Sequence, residues 1–234
     1  LGFIEANQGQ ALALATLTQT EGSSYRRPGA RLLVNQAGDY AGSLSGGCLE
    51  EGISQIAKKV LNDGRVRLEE INTLPHFGCP GVLTIQVEKI MPATLLDEIC
   101  RRIEQRICFK ISTSPLGSKL DSSEGFIEEV TPRPRLVVVG WTTDQEPLFS
   151  MAKELNWECH RVVRDARILS GLSVVAEENV SVCSAEDLTQ RYKADSSTAL
   201  LIMSHHMATD LAFLKAAATG GYIYIGLLGS QRRR

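Results

Sequence analysis

The chain has no apolar run near the ~18–20 residues that a membrane-crossing helix needs. Its opening, Leu1-Gly2-Phe3-Ile4-Glu5, lacks the basic-then-apolar order of a signal peptide. Neither sign of charge is in excess. The 234 residues carry a net charge of −2, which gives no electrostatic reason to expect nucleic acid or an anionic membrane as partner. None of the six cysteines stands in a CxxC pair, so a zinc ribbon or thioredoxin-type site is not indicated. Without a secretion signal a disulfide framework is not indicated either, and the chain is expected to be cytoplasmic with reduced thiols. No internal repeat is visible. An initiator methionine is missing and the chain stops at Arg232-Arg233-Arg234, so it is expected to continue beyond both ends.

What is present divides into two halves with different patterning, and 43% hydrophobic residues suffice for two cores. Residues 1–111 predict an α+β domain. Ala11 to Thr18 predicts a strand buried on both faces, followed by a polar loop from Thr20 to Ser24. Arg31 to Val34, Tyr40 to Ser43, Arg67 to Ile71 and Val82 to Val87 predict further strands. Ile53, Ile56, Ala57, Val60 and Leu61 predict a helix over 50–61, and Leu95 to Ile107 carries a second apolar helical face after Pro92. Residues 112–134 are rich in Ser, Pro, Gly and charge and predict a linker or surface excursion. From residue 135 strands alternate with helices, beginning with the apolar run Leu136-Val137-Val138-Val139-Gly140. That alternation predicts a doubly wound parallel sheet over 135–234, so the fold class is α/β.

The stretch Gly42-Ser43-Leu44-Ser45-Gly46-Gly47-Cys48-Leu49-Glu50 carries the most chemistry. It sets one cysteine just before a predicted helix, where the positive end of the helix dipole favours a thiolate. Free N–H groups at such a site bind anions, and Gly46-Gly47 lets a ligand approach the backbone. The alternative is a buried cysteine after an ordinary turn. Cys79 lies in a loop framed by Gly78, Pro80 and Gly81, where core packing is less natural, and two loop thiols, Cys48 and Cys79, can converge on one soft ligand, a disulfide or a metal such as molybdenum. Ser23, Ser24, Arg26 and Arg27 make a polar, cationic loop able to hold phosphate, or simply a solvated one. Cys100, Cys108, Cys159 and Cys183 are expected in the core.

The second half invites a dinucleotide reading and resists it. After the first strand stands Gly140-Trp141-Thr142-Thr143-Asp144 instead of G-x-G-x-x-G, with bulk and negative charge near where a diphosphate belongs. Asp165 stands where a ribose-binding acid is expected. A nicotinamide-dependent oxidoreductase using Gly140 and Asp165 to bind NAD(P) is therefore the alternative function. His205-His206 follow a strand at its C-terminal edge, a ligand position in open sheets, or merely cap the next helix.

Several of these segments together resemble the XdhC/CoxI family. In the first half they are Thr20-Glu21-Gly22-Ser23-Ser24, Pro28-Gly29-Ala30, Gly42 to Glu50 and Phe77-Gly78-Cys79. In the second they are Val137 to Gly140, Ser204-His205, Asp210-Leu211 and Tyr224 to Ser230. The chain departs from the family pattern at Trp141-Thr142-Thr143 and at Pro80. The resemblance implies a Rossmann-like second domain and an accessory protein for xanthine dehydrogenase-type molybdenum hydroxylases. Such a protein binds the molybdenum cofactor as cargo, assists its sulfuration and inserts it into the apoenzyme, as a chaperone rather than an enzyme. It implies Cys48 and Cys79 as the metal-facing thiols. The cofactor's other contacts would be Gly46, Gly47, Ser23, Ser24, Arg26 and Arg27, with Gly140, Asp165 and His205 from the second domain. It leaves room for a cysteine desulfurase as a further partner and for a homodimer.

Overall fold

A computed structural model of the chain describes residues 2–78, 80–91, 95–169 and 179–229. It contains two compact units, Leu1–Thr131 and Pro132–Arg234.

The first unit opens with the short helix α1 (Gly2–Ala6) and the long strand β1 (Leu12–Gly22), followed by β2 (Arg31–Val34) and β3 (Tyr40–Gly42). Next come α2 (Glu50–Asp63), β4 (Arg67–Asn72), α3 (Leu74–Phe77), β5 (Gly81–Ile90) and α4 (Leu95–Glu104). The strands form an antiparallel sheet ordered β3-β2-β1-β5-β4. Alternation along β1 sends Ala13, Ala15 and Leu17 to the α2 side and Leu12 and Leu14 to a second cluster with Leu96 of α4. The strand is therefore buried on both faces, as its apolar run predicts. It runs further than expected, to Gly22, because Thr20, Glu21 and Gly22 pair with Leu83, Val82 and Gly81 of β5. Helix α2 buries Ile53, Ala57, Val60 and Leu61 against this sheet, and each large aliphatic side chain so buried contributes about 1.5–3 kcal/mol. It stops at Gly64, whose φ of 71° permits the left-handed cap and an N–H bond to the Val60 carbonyl.

The segment 112–134 is not a free linker. Strands β6 (Phe109–Ser114), β7 (Gly117–Leu120) and β8 (Phe126–Val130) form an antiparallel sheet ordered β7-β6-β8 within the first unit. It is held to β5 by polar contacts. Gln86 donates to the Ser114 carbonyl at 2.8 Å, and the buried Glu88 carboxylate accepts from the Ser118 amide at 2.8 Å and its hydroxyl at 2.5 Å. Ser112, Thr113 and Ser114 are buried, so the segment reads as polar and yet lies inside.

The second unit holds β9 (Arg135–Val139), α5 (Glu146–Glu154), β10 (Glu158–Val163), β11 (Val180–Val182) and α6 (Leu188–Arg191). It ends with β12 (Thr198–Ile202), α7 (Met207–Ala217) and β13 (Tyr224–Leu227). All pairings are parallel, in the order β11-β10-β9-β12-β13. Val137 and Val139 face a cluster containing Phe213 and Ala217 of α7. Leu136 and Val138 face Phe149 and Ala152 of α5. Helices thus cover both faces, which is the expected doubly wound arrangement, and the order reverses at β9. No helix among the described residues is long and apolar enough to cross a membrane.

Candidate functional site

The Ser-Gly-Gly-Cys loop leaves β3 at Gly42 and enters α2 at Glu50. Gly46 and Gly47 take φ values of 82° and 121°, which favour glycine. The Glu50 side chain folds back under this loop and is nearly inaccessible to solvent. Its Oε1 accepts from the Ser43 hydroxyl at 3.0 Å and from the Leu44 and Ser45 amides at 2.9 Å. Its Oε2 accepts from the Ser45 hydroxyl at 2.7 Å and the Gly47 and Leu49 amides at 3.0 and 3.1 Å. Burial by itself would raise the Glu50 pKa. Hydrogen bonds from the Ser45 amide and hydroxyl and from the Leu44 amide outweigh it, and the group is held at about 2.

This corrects one expectation. The amides read as an external anion site are already bonded: Gly47 donates to Glu50, and Gly46 donates to the Ser43 hydroxyl at 3.0 Å. The carboxylate also meets the positive end of α2, a role that Leu49 at the N-cap has no side chain to fill.

Above the loop lies a pocket of about 380 Å³. Ser23, Ser24 and Tyr25, which follow β1, form one wall, and Ser45 and Cys48 form another. Leu44, Leu49, Leu83 and Thr73 complete it. Cys48 is exposed and so reachable from solvent. Gly46 lies beneath Tyr25: a Cβ there would stand 2.9 Å from the ring carbon Cε1. Arg26 and Arg27 are exposed and do not line the pocket, although the Arg26 guanidinium sits 5.6 Å from the Tyr25 ring centre. Cys79 lies outside the described residues. The neighbouring Pro80 carbonyl accepts from the Ser23 amide at 2.8 Å. Among the described residues no group of three or more His, Cys, Asp or Glu is placed to hold a metal ion. Of the other thiols, Cys159 and Cys183 are buried as expected, and burial pushes both pKa values up. Cys108 is exposed, contrary to expectation, because α4 ends at Glu104, before its position.

Of the three site residues expected in the second unit, Gly140 lines a small depression there, whereas Asp165 and His205 are not among its lining residues. Gly140 has φ 120°, and a Cβ on it would come within 2.4 Å of the Met203 carbonyl oxygen. The glycine is required by the end of β12. Beside it, the buried Arg161 guanidinium lies between the rings of Trp141 (4.1 Å) and Phe149 (4.6 Å) and donates to Glu146 at 2.9 Å. Side chains therefore pack the turn where a diphosphate would approach. The Asp165 carboxylate accepts from the Arg167 guanidinium and, at 2.9 Å, from the Arg167 amide, and these bonds hold its pKa at about 2. His205 pairs with Asp144 at 3.7 Å, while His206 caps α7 by accepting from the Thr209 amide. The depression at Gly140, lined also by Arg164, Ser204 and His206, measures about 90 Å³, well below the ~300 Å³ at which small-molecule pockets begin. Titration with NADH is accordingly expected to give no saturable fluorescence change. Binding that disappears in Asp165→Ala would overturn this.

Residues 6–72 match the model of the XdhC and CoxI family, and residues 136–234 match that of the XdhC Rossmann domain. The chain belongs to the XdhC and CoxI family. This XdhC-family chain is 25% identical over 239 residues to the molybdenum cofactor insertion chaperone PaoD of Escherichia coli (strain K12), covering 96% of the chain and 69% of that protein. It is 23% identical over 266 residues to a Bacillus subtilis (strain 168) protein named as a probable xanthine dehydrogenase subunit. That match covers 94% of the chain and 80% of the relative. Its fold is similar to the crystal structure of a xanthine dehydrogenase from Bacillus halodurans. The TM-score is 0.70 at 22% identity, over 99% of this chain and 82% of that one.

Sequence reading missed two residues of this candidate site, Glu50 and Tyr25. An acid in the first turn of a helix after a Gly-Gly loop is a signal for Glu50. An aromatic between Ser24 and the Arg26-Arg27 pair is a weaker one for Tyr25.

Proposed function

We propose that this chain carries the molybdenum cofactor and delivers it to a xanthine dehydrogenase-type apoenzyme, without catalysing a reaction of its own. The observation that carries the proposal is the exposed Cys48 thiol at a pocket of about 380 Å³. That volume lies within the ~300–1,000 Å³ usual for small-molecule sites. A soft sulfur suits the metal–sulfur end of the cargo, and exposure suits a carrier that must load and release it. The name of the Escherichia coli relative supports the cargo, and that of the Bacillus subtilis relative supports the class of client. Ser23 and Ser24 serve as pocket walls. Cys79, expected as a second thiol toward the metal, remains part of the proposal.

The reading extends to sulfuration. An accessible thiol can accept a sulfane sulfur from a cysteine desulfurase, which makes such an enzyme a proposed partner beside the apoenzyme. A homodimer is proposed on the resemblance alone.

The test is retention of the molybdenum cofactor by the purified chain. Wild type is expected to hold it in near-stoichiometric amount, and Cys48→Ala to lose most of it. Equal retention by the two would remove Cys48 from the site, and no retention by either would overturn the carrier reading.

A further inference from the structure

The pocket beside Cys48 has a polarity that decides which end of its cargo enters. Its described lining holds no Asp, Glu, Lys, Arg or His: three leucines are accompanied by Ser23, Ser24, Ser45, Thr73, Tyr25 and Cys48. Three of the hydroxyls have already committed their protons. Ser24 donates to the Arg26 carbonyl at 2.6 Å, Ser45 to Glu50 at 2.7 Å, and Thr73 to the Gly81 carbonyl at 2.9 Å. A hydroxyl has one proton and two lone pairs, so these groups offer a ligand acceptors and not donors. Beneath them lies the Glu50 carboxylate, which consumes the Gly47 amide and is ionised at neutral pH. A phosphate brings only acceptors and negative charge, and here it would meet these lone pairs and lie over a carboxylate, with side-chain donors in the described lining at Ser23, Tyr25 and Cys48. A flat heterocycle bearing amino and ring N–H groups would meet acceptors for its edge and leucines for its face.

Tyr25 supplies a surface for such a ring. It stands at the pocket with 77% of its surface exposed, far more than an aromatic kept for packing, and its ring rests over Gly46. Glycine at that position, with φ 82°, leaves the room the ring occupies. Arg26, 5.6 Å from the ring centre, puts a cation outside the pocket.

We propose that the pocket takes the heterocyclic, N–H-bearing end of the cofactor, stacked on Tyr25, and leaves its phosphate and metal–sulfur end at the open side, toward Arg26 and the exposed Cys48. This rests on the carrier function proposed above and reverses the orientation that a phosphate on the Gly46-Gly47 amides would impose.

The probe is pterin itself, the phosphate-free ring, followed by its own fluorescence. Wild type is expected to bind it, and millimolar inorganic phosphate to leave the affinity unchanged. Tyr25→Leu should weaken binding about tenfold, in the range of a lost aromatic stacking partner, while Tyr25→Phe should stay within about twofold because the ring remains. Tyr25 is exposed, so these variants are expected to fold. Gly46→Ala, which displaces the ring, should follow Tyr25→Leu. Competition by phosphate, wild-type affinity in Tyr25→Leu, or absence of pterin binding to wild type would each overturn the proposal. The two readings fail separately. If the whole cofactor is retained equally by wild type and Tyr25→Leu, the orientation falls and the carrier function stands. If pterin binds but the whole cofactor is not retained, the carrier function falls and the ring site stands.

Discussion

Glu50→Gln is expected to destabilise the first unit by about 3 kcal/mol, although the substitution is nearly isosteric. The carboxylate accepts six hydrogen bonds, three at each oxygen. An amide can turn its oxygen to one set only, and its NH2 group then faces three donors with protons of its own. Breaking a buried charged hydrogen-bond network costs about 3–5 kcal/mol, and each buried group left unpaired costs about 1–3 kcal/mol. The lowered pKa of Glu50, which reflects the same hydrogen bonds, points to the same magnitude. A drop from the ordinary 4.5 to about 2 corresponds, at ~1.4 kcal/mol per pH unit, to about 3 kcal/mol. The sign follows from the depressed folded-state value. The stabilisation is fully present above the unfolded pKa, near 4.5, and is lost as pH falls toward 2. Urea unfolding of both proteins at neutral pH and at successively lower pH is the measurement. The gap should be about 3 kcal/mol at neutral pH and should close as the wild-type carboxylate becomes protonated. Asp63, Glu98 and Asp165 also have lowered pKa values, but they are common to both proteins and cancel in the difference. A gap below about 1 kcal/mol, no more than one ordinary hydrogen bond contributes, would mean that the carboxylate does not organise the loop.

The Glu50 network also shows where the sequence stops being legible. Ile53, Ala57 and Val60 announce α2, and the four apolar residues Leu136 to Val139 announce a strand buried on both faces. Local periodicity carries both, and the two elements stand where it puts them. The free amides of a helix N-terminus are equally legible, but their occupant is not. It depends on Ser43 to Leu49 wrapping back over the first turn, a loop path set by the φ values of Gly46 and Gly47. A generic acid in a first turn therefore does not announce what it binds. The segment 112–134 misleads for the opposite reason. Its strands pack through hydroxyls and through Gln86 and Glu88, so burial leaves no apolar alternation to read. The convergence of Ser23, Ser24 and Cys48 on one pocket spans two loops on either side of β2 and β3. No spacing rule connects them, and only the family resemblance put them on one site.

Gly140→Ala is expected to be among the most damaging single-methyl changes in the chain, and Gly47→Ala is its natural control. The two glycines share almost the same φ, 120° and 121°. They differ in surroundings. A Cβ on Gly47 meets nothing within 4 Å, whereas one on Gly140 meets the Met203 carbonyl oxygen at 2.4 Å and Met203 C and Ser204 Cα at 2.7 Å. Holding a residue with a side chain in such a torsion costs about 1–3 kcal/mol, so that is the expected loss for Gly47→Ala. Gly140→Ala carries the same strain and must also push apart two parallel strands, since every atom in its way is backbone. Together these predict a loss of at least about 3 kcal/mol. Hydrogen exchange resolved by segment is the appropriate readout, because two compact units need not unfold as one. Protection should fall across β9, β12 and α7 in Gly140→Ala and remain unchanged across β1 and β5. A Gly140→Ala protein as protected in β9 and β12 as wild type would show that strand contact is not what demands glycine here. The reason for it would then lie with a ligand that approaches the turn beside Trp141.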